Sequence, residues 1–455
     1  MATPIGRPPR AGANGRFSLG TIRAVLHRIA PREGLIRSSA ILFFGGSLAR
    51  AVGFLFSVAA ARLLAPAEFG LLAYGLAIVG FASILITSAP TGLASFLARH
   101  HGDPRAQELH FSNWLAVITL LIAISVVLMI PIAAVARLST AMLAGVVANL
   151  IGLAVLQTYR EAQRGLERFA AMTIFYLLAN IAQLATVLVL AALGFRTAAV
   201  FLTVYGLSSL VALALVQPIA PLALRFVRQA VDLERMMAVA RFIQPLILQT
   251  VFFAVWFGAD LILVKRLLSA DDAGNYAAAK ALANAVYLAP SAVSGVVISR
   301  VARLSEISLR GFIVRVILLG TVVTTPLLVI FILFGQQIAS VIYGTRYPDV
   351  SGPLAILSIG MAIYGMYLLL SGSWRGLGRP GIDAWATGAG TLLTTGLGVF
   401  LVPRIGLIGA ASAFTAGSLT QLIVISGYTV RSLSATGLKS RLDQLLTSGA
   451  ARTHG

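Results

Sequence analysis

Twelve long apolar stretches, separated by short polar connections, run along the chain at 39–61, 71–97, 112–136, 140–158, 171–194, 197–220, 242–264, 276–300, 312–335, 353–374, 382–402 and 407–430. As helices rising about 1.5 Å per residue, each is long enough to cross a hydrocarbon core of ~30 Å. The pattern predicts an all-α integral membrane protein, and an even number of spans returns both termini to the same side.

The stretches also repeat. RLLAPAEFG at 62–70 and RLLSADDAG at 266–274 each close one apolar stretch and open the next, and RGLER at 164–168 echoes RGLGR at 375–379. The longest connection on the termini's side, 221–241, divides six stretches from six. Because six is even, the second copy enters the membrane as the first does. The expected architecture is two six-helix parallel-repeat lobes around a central cavity, where substrate is expected. The units are a basic arm (1–38), an N-lobe (39–220), a linker (221–241), a C-lobe (242–430) and a basic tail (431–455).

Composition supports the class: 58% of residues are hydrophobic and 11% charged, against about 25% charged in soluble domains. The net charge of +20 does not gather into a groove-lining patch, so nucleic acid is not the expected partner. It sorts by side instead. Of 35 lysines and arginines, 26 fall in the arm, the tail and every second connection, and only seven in the opposite set, Arg62, Arg137, Arg196, Lys265, Arg266, Arg346 and Arg404. The positive-inside rule makes the rich side, with both termini, cytoplasmic. The arm is too long for a signal-peptide n-region and Arg50 interrupts the apolar run, so the first stretch reads as a retained span. Residues 19–36 have the pattern of a basic helix lying on anionic membrane lipids. With no cysteine, disulfides, thiolate metal sites and a cysteine nucleophile are excluded.

ARLLAPAEFGLLAYGLAIVG from Ala61, the RGLER loop, VIYGTRYPDVSGPLAILS at 341–358 and VPRIGLIGAASA at 402–413 together resemble the bacterial polysaccharide transporter family. These are the O-antigen and exopolysaccharide flippases of the multidrug/oligosaccharidyl-lipid/polysaccharide exporter superfamily. The resemblance implies alternating-access flipping of undecaprenyl-diphosphate-linked oligosaccharide across the bacterial cytoplasmic membrane, alongside polysaccharide polymerase and export proteins. The sequence departs from the family at Ser88–Leu93, which lacks the acidic residue common near the end of the second helix. Coupling to a proton or a sodium gradient is therefore left open.

Charges inside a bilayer persist when paired or facing a wet cavity. Three lie well inside the stretches: Arg50, Asp260 and Lys280. Asp260 and Lys280 share a depth near the cation-poor side, and read either as a structural ion pair between the seventh and eighth stretches or as a coupling site. Arg50 sits near mid-membrane with no carboxylate at its depth, and the repeat aligns it with Ala254. A lone guanidinium in an inter-lobe cavity offers a bidentate fork to a diphosphate, with bonding to Gln244, Gln249 or helix carbonyls as the structural alternative. Gln244, Gln249, Thr250 and Trp256 on the seventh stretch are candidate sugar contacts or interhelical hydrogen bonds, with Tyr364 and Tyr367 as weaker candidates. Gly45, Gly46, Gly53, Pro90 and Pro245, with Pro290 and Pro326, mark candidate hinges.

No catalytic or metal-binding constellation is expected. The five histidines fall in the arm, one loop and the tail, and no Gly-rich loop followed by Lys-Ser or Lys-Thr exists to hold ATP. An ion-coupled exporter of small cationic compounds on the same fold is the main alternative, and would want unpaired carboxylates in its cavity. A membrane polymerase or glycosyltransferase would want a large charged outer loop, which is missing. Topology is directly testable: a fluorescent protein fused after Gly455 is expected to fluoresce and alkaline phosphatase at the same position to be inactive, with the opposite result at Arg196.

Overall fold

A computed structural model of the chain describes residues 35–100, 102–301, 306–376 and 381–452. Most of the basic arm, part of the RGLGR echo and the side chains of Gln244, Pro245 and the tail beyond Ser432 lie outside the described residues. Every apolar stretch falls on helix: α1 (Leu35–Leu63), α2 (Pro66–Ala82), α3 (Ile84–Ser88), α4 (Leu93–Arg99), α5 (Pro104–Ala136), α6 (Thr140–Gly165), α7 (Phe169–Ala192), α8 (Ala198–Val216), α9 (Leu233–Leu267), α10 (Ala270–Val301), α11 (Glu306–Tyr343), α12 (Ser351–Gly376) and α13 (Gly381–Arg452). Among the described residues, nine helices are long and apolar enough to cross a membrane. The last of these covers both the eleventh and twelfth stretches. The second and eighth stretches, on α2–α4 and α10, are not among the nine.

Local chemistry explains the boundaries. Pro66 and Pro104 stand in the first turns of α2 and α5, where a missing N–H costs nothing. Asp103 Oδ1 accepts from the Ala106 amide at 3.1 Å, and Ser139 Oγ from the Met142 amide at 3.2 Å, capping α5 and α6. The second stretch was read as one helix and is instead broken, first at Ser83 and then by a 3-10 turn at Ala89–Gly92 containing Pro90. The two stretches on α13 are separated at Ile405–Gly406, where Gly406 has φ of 59°. Only glycine enters that left-handed region without strain. Two of the expected hinge glycines mark close packing of α1 on α7: a Cβ at Gly45 would lie 2.1 Å from Thr173 Cγ2 and one at Gly53 2.6 Å from Asn180 Oδ1. Gly46 has open space beside it.

The helices before residue 221 pack mainly on one another, as do those after 232, and the two halves meet chiefly where α2 lies against α9 and α10. At the cation-poor end the repeat meets itself. Gly70 and Gly274, the final residues of the two RLL motifs, are in contact: a Cβ on Gly70 would lie 2.6 Å from the Gly274 nitrogen, and one on Gly274 would lie 2.1 Å from the Pro66 oxygen. The equivalent arginines bridge on either side. Arg62 donates to the carbonyls of Val341 and Ile342 near the end of α11, and Arg266 to the carbonyl of Val135 near the end of α5. Helix C-termini carry partial negative charge, which favours cations there. Arg346 Nη1 donates to the Arg62 carbonyl at 3.1 Å and the Tyr347 hydroxyl to the Ala61 carbonyl at 2.8 Å. The halves are thus stapled together on that face.

Gly274→Ala is expected to lower stability by about 1–3 kcal/mol, the cost of overpacking a tight contact. Gly46→Ala, with nothing within 4 Å of the new methyl, is expected to be neutral. Thermal unfolding of the two purified variants in detergent checks the contrast.

Candidate functional site: the cavity between the two halves

Behind the Gly70–Gly274 contact lies a cavity of about 580 Å³ between the halves. The first half contributes Phe56 and Ser57 of α1, Phe69, Leu72 and Leu76 of α2, Ser83 at the break after α2, Thr87 of α3 and Gln157 of α6; the second contributes Thr250, Phe253 and Phe257 of α9 and Ala277, Lys280 and Asn284 of α10. Its walls are mostly apolar with a few amide and hydroxyl groups. Lys280 is the one charged side chain among the described residues lining it. Toward the cation-rich side, Ser88 Oγ donates to Thr250 Oγ1 across the halves at 2.9 Å.

Lys280 does not point freely into this space. Its Nζ lies 2.7 Å from both carboxylate oxygens of Asp260 and 2.5 Å from the Phe257 carbonyl, and it sits over the rings of Phe257 and Phe414 at 4.7 and 4.9 Å. Asp260 also accepts from the Tyr276 hydroxyl and the Leu261 amide, both at 2.7 Å. Asp260 is 1% exposed and Lys280 7%. Removing two such charges from water is affordable only when the pair and its remaining lone pairs are satisfied, as here.

Arg50 is half-buried on α1 and reaches across the halves, its Nη1 3.3 Å from Ser291 Oγ on α10. Among the described residues it forms no ion pair; those found are Arg164–Glu161, Lys280–Asp260 and Arg375–Asp383. It stands instead within electrostatic reach of Arg160 and Tyr287.

Two of the expected sugar contacts are placed elsewhere. Trp256 is fully buried in the second half, with ring centroids 4.4 Å from Tyr364 and 4.7 Å from Phe414. Gln249 gives its amide to Asp383. Both face away from the cavity, because the face of α9 that carries them packs on α12 and α13, while Thr250, Phe253 and Phe257 turn toward the opening. Gln244 lies outside the described side chains.

Two arrangements are not anticipated by the pattern of apolar stretches. Asp383, fully buried on α13, accepts from Arg375 Nε and Ser371 Oγ, each at 2.7 Å, and also from Arg375 Nη2, Gln249 and Tyr367; the Tyr367 hydroxyl lies 2.9 Å from Thr387 Oγ1. Arg375 and Asp383 flank the gap between the tenth and eleventh stretches, and that facing pair of opposite charges was the available signal. The other arrangement is Arg160, assigned to a loop because the fourth stretch loses its apolarity at 158. α6 continues to Gly165 and carries Arg160 inside the first half, its guanidinium 4.6 Å from the Tyr176 ring centroid.

Residues 35–305 match the model of a family described as "Polysaccharide biosynthesis protein". The chain belongs to this polysaccharide biosynthesis family. A curated relative, the probable low-salt glycan biosynthesis flippase Agl15 of Haloferax volcanii, is 25% identical over 167 residues, 36% of this chain and 35% of its own length. The match thus spans about a third of that relative. Among solved structures, an inward-facing multidrug resistance MATE family transporter of the MOP superfamily superposes with a TM-score of 0.70 at 14% identity, over 91% of this chain and 98% of its own. The lipid II flippase MurJ in an inward closed conformation gives 0.67 at 16% identity, over 86% and 87%. At such identities the likeness establishes the fold: this member of the polysaccharide biosynthesis family is an all-helical, multi-pass membrane protein built like those transporters.

Lys280→Ala alone is expected to destabilise the protein by about 3–5 kcal/mol, since it strands the Asp260 carboxylate in the interior, and Asp260→Leu combined with Lys280→Met to recover most of that loss. Unfolding of the three proteins in detergent, followed by circular dichroism, measures both steps.

Proposed function

We propose that the protein is a flippase that moves undecaprenyl-diphosphate-linked oligosaccharide across the bacterial cytoplasmic membrane by alternating access, for surface or exopolysaccharide synthesis. The observation that carries this reading is the cavity between the halves, stapled shut at the cation-poor face, in a chain of the polysaccharide biosynthesis family. With both termini cytoplasmic, that face is the outer one, and the cavity accepts substrate from inside. Amide and hydroxyl groups on its walls suit sugar hydroxyls, and the phenyl rings suit the apolar faces of pyranoses.

Arg50 is the proposed diphosphate contact. Its hydrogen bond to Ser291 joins the halves, so parting them frees a guanidinium that a phosphate can then hold in a bidentate manner. A cationic drug, the substrate of the alternative reading, would meet Lys280 and no free carboxylate among the described lining residues, since Asp260 is committed to Lys280. The cavity's charge disfavours that reading.

Deleting the gene in its host is expected to accumulate intact diphosphate-linked repeat units and to abolish the polymer. Complementation with Arg50→Ala is expected to restore less than a tenth of the surface polysaccharide at normal membrane abundance. Unchanged glycan pools together with increased sensitivity to cationic compounds would instead establish the exporter.

A further inference from the structure

The first half encloses a second cavity of about 230 Å³ between α6, α7 and α8. We propose that this cavity binds a phosphate oxyanion through Arg160, and, resting on the flippase reading, that the oxyanion is the substrate's diphosphate.

Four observations converge on Arg160. Its Nε is buried with no hydrogen-bond acceptor. The acidic residue beside it, Glu161, makes its ion pair with Arg164 at 3.0 Å, and among the described residues no carboxylate pairs with Arg160. Arg50, within electrostatic reach in the first half, has the same sign. Low dielectric strengthens repulsion between like charges and penalises an unpaired one, so this arrangement calls for a counter-anion. Finally, the cavity is furnished for one. Arg160 and Gln183 share its wall, and the Gln183 Nε2, also buried, donates to nothing. The Tyr176 ring lies against the guanidinium, its centroid 4.6 Å from the central carbon.

Size selects among anions. The space admits a compact headgroup and is too small for an oligosaccharide or a polyprenyl tail. Gln157 borders this cavity and the larger one between the halves, so a diphosphate seated here leaves its glycan in the larger space. Arg160 is then a second contact beside Arg50, contributed by the first half alone.

The test uses full-length protein in phosphatidylcholine nanodiscs, with radiolabelled farnesyl diphosphate as probe and inorganic pyrophosphate or phosphatidylglycerol as competitor. Wild type is expected to bind the probe and to release it to pyrophosphate; Arg160→Gln is expected to bind at least tenfold more weakly, with Arg160→Lys intermediate. Gln183→Leu, which leaves the charge in place, is expected to weaken binding severalfold and serves if Arg160→Gln does not fold. Equal binding by wild type and the folded variants overturns the assignment. Competition by phosphatidylglycerol but not pyrophosphate overturns the diphosphate assignment, making the cavity a site for the phosphodiester of a bilayer lipid. The flippase reading is judged separately: Arg160-dependent binding with unchanged glycan pools in the deletion host keeps this site and removes that reading, and lost polymer with Arg160-independent binding does the reverse.

Discussion

The contact between Gly70 and Gly274 is the constraint on which the arrangement depends. Two helices can approach backbone to backbone only where neither carries a side chain, and here the residues that meet are the same position of a duplicated motif. A duplicated chain that meets itself at equivalent points has a local two-fold axis there. Arg62 and Arg266 follow from it: once the axis is set, each is carried to the end of a helix in the opposite half, α11 for one and α5 for the other. The cavity lies behind this contact, with α2 and α10 both contributing to its walls.

The halves share a backbone plan but not a treatment of charge. In the second half, the two buried carboxylates among the described residues are saturated: Asp260 by Lys280, Tyr276 and a backbone amide, Asp383 by Arg375, Gln249, Tyr367 and Ser371. These networks fix α9, α10, α12 and α13 to one another. Interior cations of the first half, Arg50 and Arg160, have no such carboxylate partners. The buried charges described in the second half are thus paired, while the first half carries two interior cations with no ion pair among the described residues. Packing has no use for that asymmetry, whereas a ligand with one charged end does.

Helix positions were legible because a bilayer demands long apolar runs, and every stretch found in the sequence lies on helix. Details that depend on neighbours were not. Apolarity fails before a helix does when a cation points into protein instead of lipid, so the fourth stretch ended at 158 while α6 runs to Gly165 and carries Arg160 inward. The break in the second stretch had a visible cause in Pro90, but Ser83 gave no comparable sign. On α9, spacing puts several of Gln244, Gln249, Thr250, Trp256 and Asp260 on overlapping faces, but it does not separate Thr250, which lines the cavity, from Gln249 and Trp256, which bond or pack within the second half. Depth alone proved sufficient for Asp260 and Lys280, since two opposite charges at one level on adjacent helices have little else to seek. Asp383 and Arg375 escaped notice because each lies at the margin of its stretch, where a charge is ordinarily solvated.

The arginine staples donate to no side chain of the residues they reach. Their acceptors are main-chain carbonyls, and two of the residues that own them, Val135 and Val341, are 74% and 73% exposed, as lipid-facing positions are. Any residue supplies the same carbonyl. After the duplication, then, the two copies were free to drift at these helix ends without loosening their attachment to each other, provided the donor arginines stayed. Apart from the paired glycines, the joint between the halves is written in backbone carbonyls on one side and in a few donors, Arg62, Arg266, Arg346 and Tyr347, on the other.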